Sequence, residues 1–560
     1  MDSNTLNQAI ESLAQHKDKW ARVPPERKAV YARGILTAMV SSAERAVSVV
    51  SAAKGFTEGT PMVGDEWGSG PYSTVRNLRL LATSLEQIAR HGAPQLRPGV
   101  VRVRTGGQVA VEVFPLSVSD KMLFSGSRAE VWMEPDVTSE NLLSHMAGFH
   151  RQKDPKGKVA LVLGAGNVSS CAPLDTAHKL FIEGQVCLCK MNPVNEYYEP
   201  FMAEAFADLI RDGFVQIIRG GTDVGDYLCQ HPGIEEIHLT GGAATFEAIV
   251  FGGGEEGARR KKSDQPRLQK RVTAELGNIG PLIVVPGQWS KADLEFQAAN
   301  IATQMISNTG FNCNSARILI LPKGWPQSQA LLDQLKAILV GLPTRKAFYP
   351  GAEERYERFT SINPSAIAIG TRQPGVLPWT LIPDLDSADR NNICFKSESF
   401  CPLLAQTTVD GKDAAKFLQN AVKFCNDVLW GTLCVCIIID AKTQTLLGDT
   451  IERAIADLRY GTVSLNHWPA MGYLWGATTW GAFPGRTYQD IQSGIGTTHN
   501  AFMFDRPQKS VVYGPFRAWP TPPWFVTNKK AHKVLPKCVR LEANPSLTKT
   551  MGVAFAAMGG

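Results

Sequence analysis

The sequence predicts an α/β protein made of two Rossmann-like α/β domains and a small additional β element. Three observations predict it. From residue 158, apolar runs alternate with amphipathic stretches: "KVALVLGAGN", "PLDTAHKLFIEG", "QVCLCKMNP", "EPFMAEAFADLIRDG", "VQIIRGG" and "IEEIHLTGG". Strands alternating with helices at this spacing imply a parallel sheet. A second block of the same kind runs from about 280 to 500 and includes "PLIVVPG", "ARILILPKG", "VCIIID" and "GTVSLNHW". Residues 100–135 follow a period of two instead, in "VVRVRTGGQVAVEVFP" and "RAEVWMEP", with Gly106-Gly107 as the turn.

The remaining elements follow in chain order. Residues 1–95 read as helices, because "LNQAIESLAQHKDKWARV" and "TVRNLRLLATSLEQIARHG" space their apolar residues at three to four, the second stopping at Gly92. A helical stretch is expected around Ser139–His150. The last 50 residues are rich in Pro and aromatics, then polar, and contain a strand-like "KSVVYGPF".

At 560 residues the chain is too long for one core. Its 44% hydrophobic and 20% charged content is that of a soluble globular protein. No run of about 18 apolar residues is present, so no membrane partner is expected. The N-terminus is polar, unlike a signal peptide. Eleven cysteines, an odd number without C-x-x-C, fit a reducing compartment and neither a disulfide framework nor a metal site, so the cytoplasm is expected. The net charge of +6 is concentrated in residues 255–271, which hold seven basic and three acidic residues. Without interleaved aromatics this reads as a solvated surface loop, and no nucleic-acid partner is expected.

One thiol stands apart. Cys187 and Cys189 alternate along a strand, as do Cys434 and Cys436, and read as packing. Cys313 lies between Asn312 and Asn314, after a Gly-containing turn and before the strand-like Ala316–Leu321. The turn "GAGNVS" (164–169) is a weak dinucleotide fingerprint by itself, since Ser169 replaces the third glycine.

The order of the pieces is more specific: Asn167 after a buried strand, Lys190 at the end of the next, "LTGG" (239–242), "ELGNIGP" (275–281), "NTGFNCNSAR" (308–317) and "SESFCP" (397–402). This succession resembles the aldehyde dehydrogenase superfamily over residues 150–500. The resemblance implies a domain plan: 1–99 the helical part of the cofactor-binding domain, 100–135 a β oligomerisation element, 136–275 the NAD(P)-binding domain, 276–505 the catalytic domain, and 506–560 oligomerisation strands and tail. It implies oxidation of an aldehyde to a carboxylic acid with NAD or NADP, in a homodimer or homotetramer. Cys313 would be the nucleophile, since a thiolate adds readily to a carbonyl. Asn167 would meet the oxygen charge, and Glu275 would be the base for water. Lys190, Gly241, Gly242, Glu398, Ala165 and Gly166 would contact the cofactor, with the glycine pair at a helix start that favours phosphate.

The chain departs from the family pattern at several places. Pro193 stands where an acid usually binds the ribose, and the basic segment forms an insertion before Glu275, so tolerance of NADP is expected. Cys313 to Arg317 is one residue short, Asn278 replaces a glycine, and "FPG" (483–485) stands for a usual "FGG". Two other functions stay open: an acyl-CoA or acyl-group reductase, disfavoured by Glu275, and a catalytically silent binding protein, disfavoured by the set Cys313, Asn167, Glu275 and Glu398. Trp468, Tyr473, Trp475 and Trp480 suggest an aromatic substrate wall.

Overall fold

The computed structural model describes residues 2–558. Two sheets organise the chain. The first has six strands in the order Gly494–Ile495, Arg271–Leu276, Glu236–Gly241, Val159–Leu163, Val186–Lys190 and Val215–Ile218. All pair in parallel except the short edge strand at 494. Strands such as "VALVL" and "VCLCK" are apolar because helices cover both faces of a parallel sheet.

The second sheet has eleven strands. Its parallel centre comprises Gly280–Val284, Ala316–Pro322, Leu403–Val409, Trp379–Leu385, Cys434–Ile438 and Thr462–Leu465. Beyond Thr462–Leu465 it continues through Pro507–Tyr513, which pairs in parallel on that side and antiparallel with Arg128–Met133 on the other. Val109–Phe114 and Val101–Val103 complete that edge. The strands from 100–135 and the strand-like C-terminal segment thus lie side by side and extend the eleven-stranded sheet of their own chain.

Helices Ser3–Ala21, Pro25–Lys54 and Ser73–His91 account for the N-terminal periodicity, the last ending at left-handed Gly92 (φ 80°). Pro25–Lys54 is the one described helix whose length and hydropathy would allow it to cross a membrane; half of its apolar window is buried inside the protein. Two expectations are corrected. The stretch Ser139–His150 is not a helix but two short 3-10 turns. Its backbone is claimed by another segment: Ala147 N–H donates to Met503 O (2.7 Å), Asp505 N–H donates to His145 O (2.8 Å), and Met146 bridges Phe504. The basic segment is not an open loop either. Gly254–Lys262 is a helix in which Arg260 pairs with Glu256 at i,i+4 spacing (2.8 Å).

The C-terminal chain forms helices Ala531–Ala543 and Leu547–Ala557. The first is fixed by an ion cluster: fully buried Arg76 pairs with Glu542 (2.5 Å) and Asp120 (2.9 Å) and donates to Trp475 O (2.7 Å). Removing one partner from a buried charge cluster typically costs about 3–5 kcal/mol, since the remaining charges stay buried. Arg76→Ala should therefore lower the denaturant midpoint by that order and expose the 531–557 segment to proteolysis. A loss below about 1 kcal/mol, the range of an exposed pair, would show that the cluster does not hold the segment.

Candidate active site

Strand order creates the crevice. From the central strand Val159–Leu163 the chain builds outward on one side through Val186–Lys190, then returns to the other side at Glu236–Gly241. Ligands bind such sheets where the direction of winding reverses, beyond the carboxyl ends of the two central strands. Gly164 to Asn167 follow one of these ends, and Gly241-Gly242 follow the other and open the helix Ala243–Phe251. Both borders line a cavity of about 620 Å³.

The Cys313 loop enters from the second sheet. Helix Lys291–Ile306 gives way to a turn in which Asn308 (φ 52°), Thr309 (φ 60°) and Gly310 (φ 76°) are left-handed. Asn visits this region readily, but a β-branched residue does so only under constraint, at a cost of about 1–3 kcal/mol. The constraint is visible. Asn308 Nδ2 donates to Asn167 O (3.0 Å), Phe311 O (3.2 Å) and Asn312 Oδ1 (3.1 Å). Its backbone N–H donates to Asp65 (3.0 Å), itself paired with Arg345 (2.6 Å). Gly310 is required because a Cβ there would meet the backbone of Cys401 and Pro402. From the following strand the buried Arg317 guanidinium donates to the carbonyls of Cys401 (2.6 Å), Gly310 and Asn312 (3.4 Å). The loop therefore carries Cys313 to the cavity with little freedom, and Cys313 stays partly open while nine of the other ten cysteines are buried.

Asn167 and Glu275 reach the same cavity from the first sheet. The Asn167 amide donates one bond to Phe311 O (2.9 Å), which ties it to the Cys313 loop. Glu275 sits at the carboxyl end of its strand, opposite Thr240 and Gly494. Burial pushes its carboxyl up to about 8, with the charges of Asp175 and Glu398 adding to the rise. The Cys313 thiol and the Trp480 indole nearby act in the opposite sense, yet Glu275 Oε1 and Trp480 Nε1 have no hydrogen-bond partner. Burial, then the Glu275 charge, holds the Cys313 thiol well above its ordinary range. At neutral pH both groups therefore keep their protons.

Glu398 lies against the turn after Glu275. The place a Cβ would take at Gly277 is occupied by Glu398 Oε2, which explains that glycine. Burial raises Glu398 to about 7 against the opposing charge of Arg317, and its Oε1 is unpartnered. Cys313, Glu275, Asn167, Ala165, Gly241, Gly242 and Glu398 thus share one cavity. Two residues of the expected set do not line it. The Lys190 ammonium turns to Met191 O (3.4 Å), and Gly166 is covered by Asn192 and Val194. Of the aromatic quartet, Trp468 and Tyr473 line the cavity, whereas Trp475 stacks on Phe114 (3.9 Å between centroids) and Trp480 lies beside Glu275.

Several residues of the site carried no signal in the sequence. Asp65 braces the Cys313 loop, while its neighbour Glu66, paired with Lys54 (2.8 Å), accepts from Ser169 and braces the Asn167 loop. Nothing in "VGDEWG" marks these acids as buried. Phe124, Trp524, Leu535 and Cys538 complete the wall from segments distant in the chain.

A model of the aldehyde dehydrogenase family matches residues 145–475. Solved structures share the fold over nearly the whole chain. An NAD-dependent aldehyde dehydrogenase from Sinorhizobium meliloti is 16% identical at a TM-score of 0.61, covering 93% of this chain and 88% of its own. Aldehyde dehydrogenase 21 from Physcomitrella patens, in complex with the reaction product succinate, is 14% identical at 0.61, covering 91% and 90%. An NADP-dependent glyceraldehyde-3-phosphate dehydrogenase from Bacillus halodurans, complexed with NADP, is 18% identical at 0.59, covering 91% of each.

The raised Glu275 carboxyl has a consequence for stability. Below pH 4.5 folded and unfolded chains both hold this proton. Between 4.5 and about 8 only the unfolded chain releases it, so the folded state loses stability as pH rises through this window. Glu275→Gln lacks the titration. Its stability relative to the parent should therefore increase from pH 5 to pH 8, measured as paired denaturant midpoints. A difference that is flat over that range would place the ionisation of Glu275 elsewhere.

Proposed function

The chain belongs to the aldehyde dehydrogenase family, and we propose that it oxidises an aldehyde to a carboxylic acid with NAD or NADP. The observation that carries this reading is the convergence of Cys313, Glu275 and Asn167, from three separate segments, on one cavity. Cys313 Sγ would bond to the aldehyde carbon, its proton leaving to solvent, and give a thiohemiacetal in its oxyanion form. The negative oxygen would be met by the Asn167 amide and by the backbone N–H of Cys313. When bound, NAD(P) supplies the hydride acceptor. The thioester left on Cys313 would then be attacked by water whose proton the ionised form of Glu275 accepts and passes to the departing thiolate, releasing the acid and the free thiol. A buried base beside the thioester favours hydrolysis over transfer to another acyl acceptor, and a full catalytic set argues against a silent binding protein.

The residues present fit part of the nucleotide. Gly242 opens the helix Ala243–Phe251 without a side-chain cap, and Ala243 and Ala244 line the cavity. Free N–H groups and the helix dipole there suit a pyrophosphate. The unpartnered Glu398 Oε1 would accept from a ribose hydroxyl of the nicotinamide half. Lys190, expected at the adenosine ribose, is turned away and does not support that contact. The eleven free cysteines support a cytoplasmic location. A homodimer or homotetramer would use surfaces other than the sheet edge beside Thr462–Leu465, which the chain fills with its own strand.

Two experiments test the reading. Cys313→Ala should lose turnover to below a few per cent while still binding nucleotide, and Glu275→Gln should show a burst of reduced nucleotide followed by a slow steady state. Loss of burst and steady state together in the Gln variant would assign Glu275 to thiol activation alone. For the cofactor, none of Arg259, Arg260, Lys261 and Lys262 lines the cavity, and Arg260 and Lys261 are paired with Glu256 and Glu247. NADP should be tolerated because Pro193 carries no charge to repel a 2′-phosphate. The ratio of NADP to NAD affinity should then be unchanged when Arg259 and Arg260 are both replaced by Ala. A tenfold loss of NADP affinity in that variant would bring the basic helix to the ribose.

A further inference from the structure

Helix Leu547–Ala557 is apolar on nearly every side, with Lys549 its one charged residue. A helix of that composition is normally covered all round. This one is covered on one side only. Val553 packs with Val534 and Leu541 of the preceding helix and with Leu123 of the helix Val118–Leu123, and Thr550 is bonded to Ser119 of that same helix (2.7 Å). Leu547, Met551, Phe555 and Met558, each three or four residues from the last, stay outside this contact. Val118 and Met122, one turn apart on the adjoining helix, extend the patch, and the six side chains are 39–68% exposed. Single exposed apolar residues are ordinary, but six gathered on two touching helices mark a surface that meets something apolar.

Charge chooses the partner. Residues 517–549 hold seven basic side chains and one acidic. The acid, Glu542, is turned inward to Arg76 and Arg79. On helix Ala531–Ala543, Lys533, Lys537 and Arg540 stand at i, i+4 and i+7, along one face. Of these, Arg540 alone has a carboxylate partner, the exposed Glu44 (2.8 Å). Lys529, Lys533, Lys537 and Lys549, with Lys121 of the adjoining helix, are exposed and have no carboxylate partner among the described residues. Lys549 donates to Asn544 O (2.9 Å) and so ties the apolar helix to the end of the basic one.

We propose that the helix pair Ala531–Ala543 and Leu547–Ala557 docks this protein on an anionic lipid surface, the apolar side chains entering the interface and the lysines meeting the headgroups. A helix of 11 residues spans about 16 Å, so it lies in the interface and does not cross a hydrocarbon layer of about 30 Å. The lack of a spanning run, on which the expectation of no membrane partner rested, does not bear on such a helix. A second copy of the chain would cover the apolar side chains but bring lysines against lysines. A nucleic acid would meet the lysines and leave the apolar side chains in water. An anionic leaflet offers apolar and negative groups together. Helix Ala531–Ala543 also contributes Leu535 and Cys538 to the cavity wall, so the docked surface would adjoin the site.

The test sediments the full chain with vesicles of phosphatidylcholine alone or with about 30 mol% phosphatidylserine, at about 0.1 M and about 0.5 M salt. Each lysine at an anionic surface contributes about fivefold. Binding to the anionic vesicles should therefore be at least about tenfold tighter than to the neutral ones, and weaken at least about tenfold at the higher salt. Leu547→Ser with Phe555→Ser should weaken it at least about tenfold and leave the denaturant midpoint unchanged. Lys533→Glu with Lys537→Glu should weaken it as much and flatten its salt dependence. Leu446→Ser, which removes an exposed apolar side chain outside the patch, should bind as the parent does. No binding, equal binding to both vesicle types, or parental binding by the double serine variant overturns the proposal. So does a parent that ignores vesicles but self-associates in light scattering while the double serine variant does not; the face is then a contact between copies. None of these readouts depends on aldehyde turnover.

Discussion

The Asn308 side chain is the clasp on which the site depends. Its one amide nitrogen contacts the Asn167 carbonyl, the Phe311 carbonyl and the Asn312 side chain, while its backbone N–H is held by Asp65. Those partners belong to the first sheet, to the Cys313 loop and to the N-terminal helices. A left-handed turn at 308–310 brings them within reach of one group, and the backbone strain there is offset by the bonds it makes possible. The positions of the thiol and of the Asn167 amide are consequently not independent. A change that released Asn308 would move both.

Electrostatics follows from that closure. The cavity gathers carboxyls in a place poor in water, and burial dominates every shift found there. The Glu275 charge raises the cost of ionising Cys313, whereas the thiol eases the ionisation of Glu275 without offsetting its burial, so the resting pair is neutral. Arg317 supplies the opposing charge, but it does so through carbonyls, fixing the loop backbone while its own charge lies near Glu398. The same residue thus sets geometry at Cys313 and moderates a carboxyl across the cavity.

What the sequence made legible was what strands and glycines announce. Asn167, Gly241 and Glu275 stand at or just beyond strand ends, where a parallel sheet exposes its site, and Gly277 and Gly310 mark close approaches of backbone to side chain. Lys190 also ends a strand, yet strand position does not fix where four methylenes lead, and its ammonium turned to a carbonyl. The Ser139–His150 periodicity was overridden by pairing with residues 503–505, which no local pattern encodes. Asp65 and Glu66 look like surface acids because burial is a tertiary property. The C-terminal wall was illegible for a similar reason: Trp524 and Leu535 acquire meaning only against Phe124 and Tyr72, some 400 residues earlier in the chain.

The strand Pro507–Tyr513 occupies the seam between Thr462–Leu465 and Arg128–Met133. A ribosome delivers its residues long after those of Arg128–Met133. Until then the strands made first, Val101–Val103, Val109–Phe114 and Arg128–Met133, have no sheet to join, and Thr462–Leu465 ends in an open edge of unpaired amides. The nascent protein therefore carries one unsatisfied edge from residue 133 onward, and a matching second one from residue 465 to residue 507. Between neighbouring chains on one message those edges could pair with each other instead of with the late strand. The demand this places on the cell is for something that shields exposed edges during translation, and the stretch of message between Met133 and Pro507 sets how long that shielding is needed.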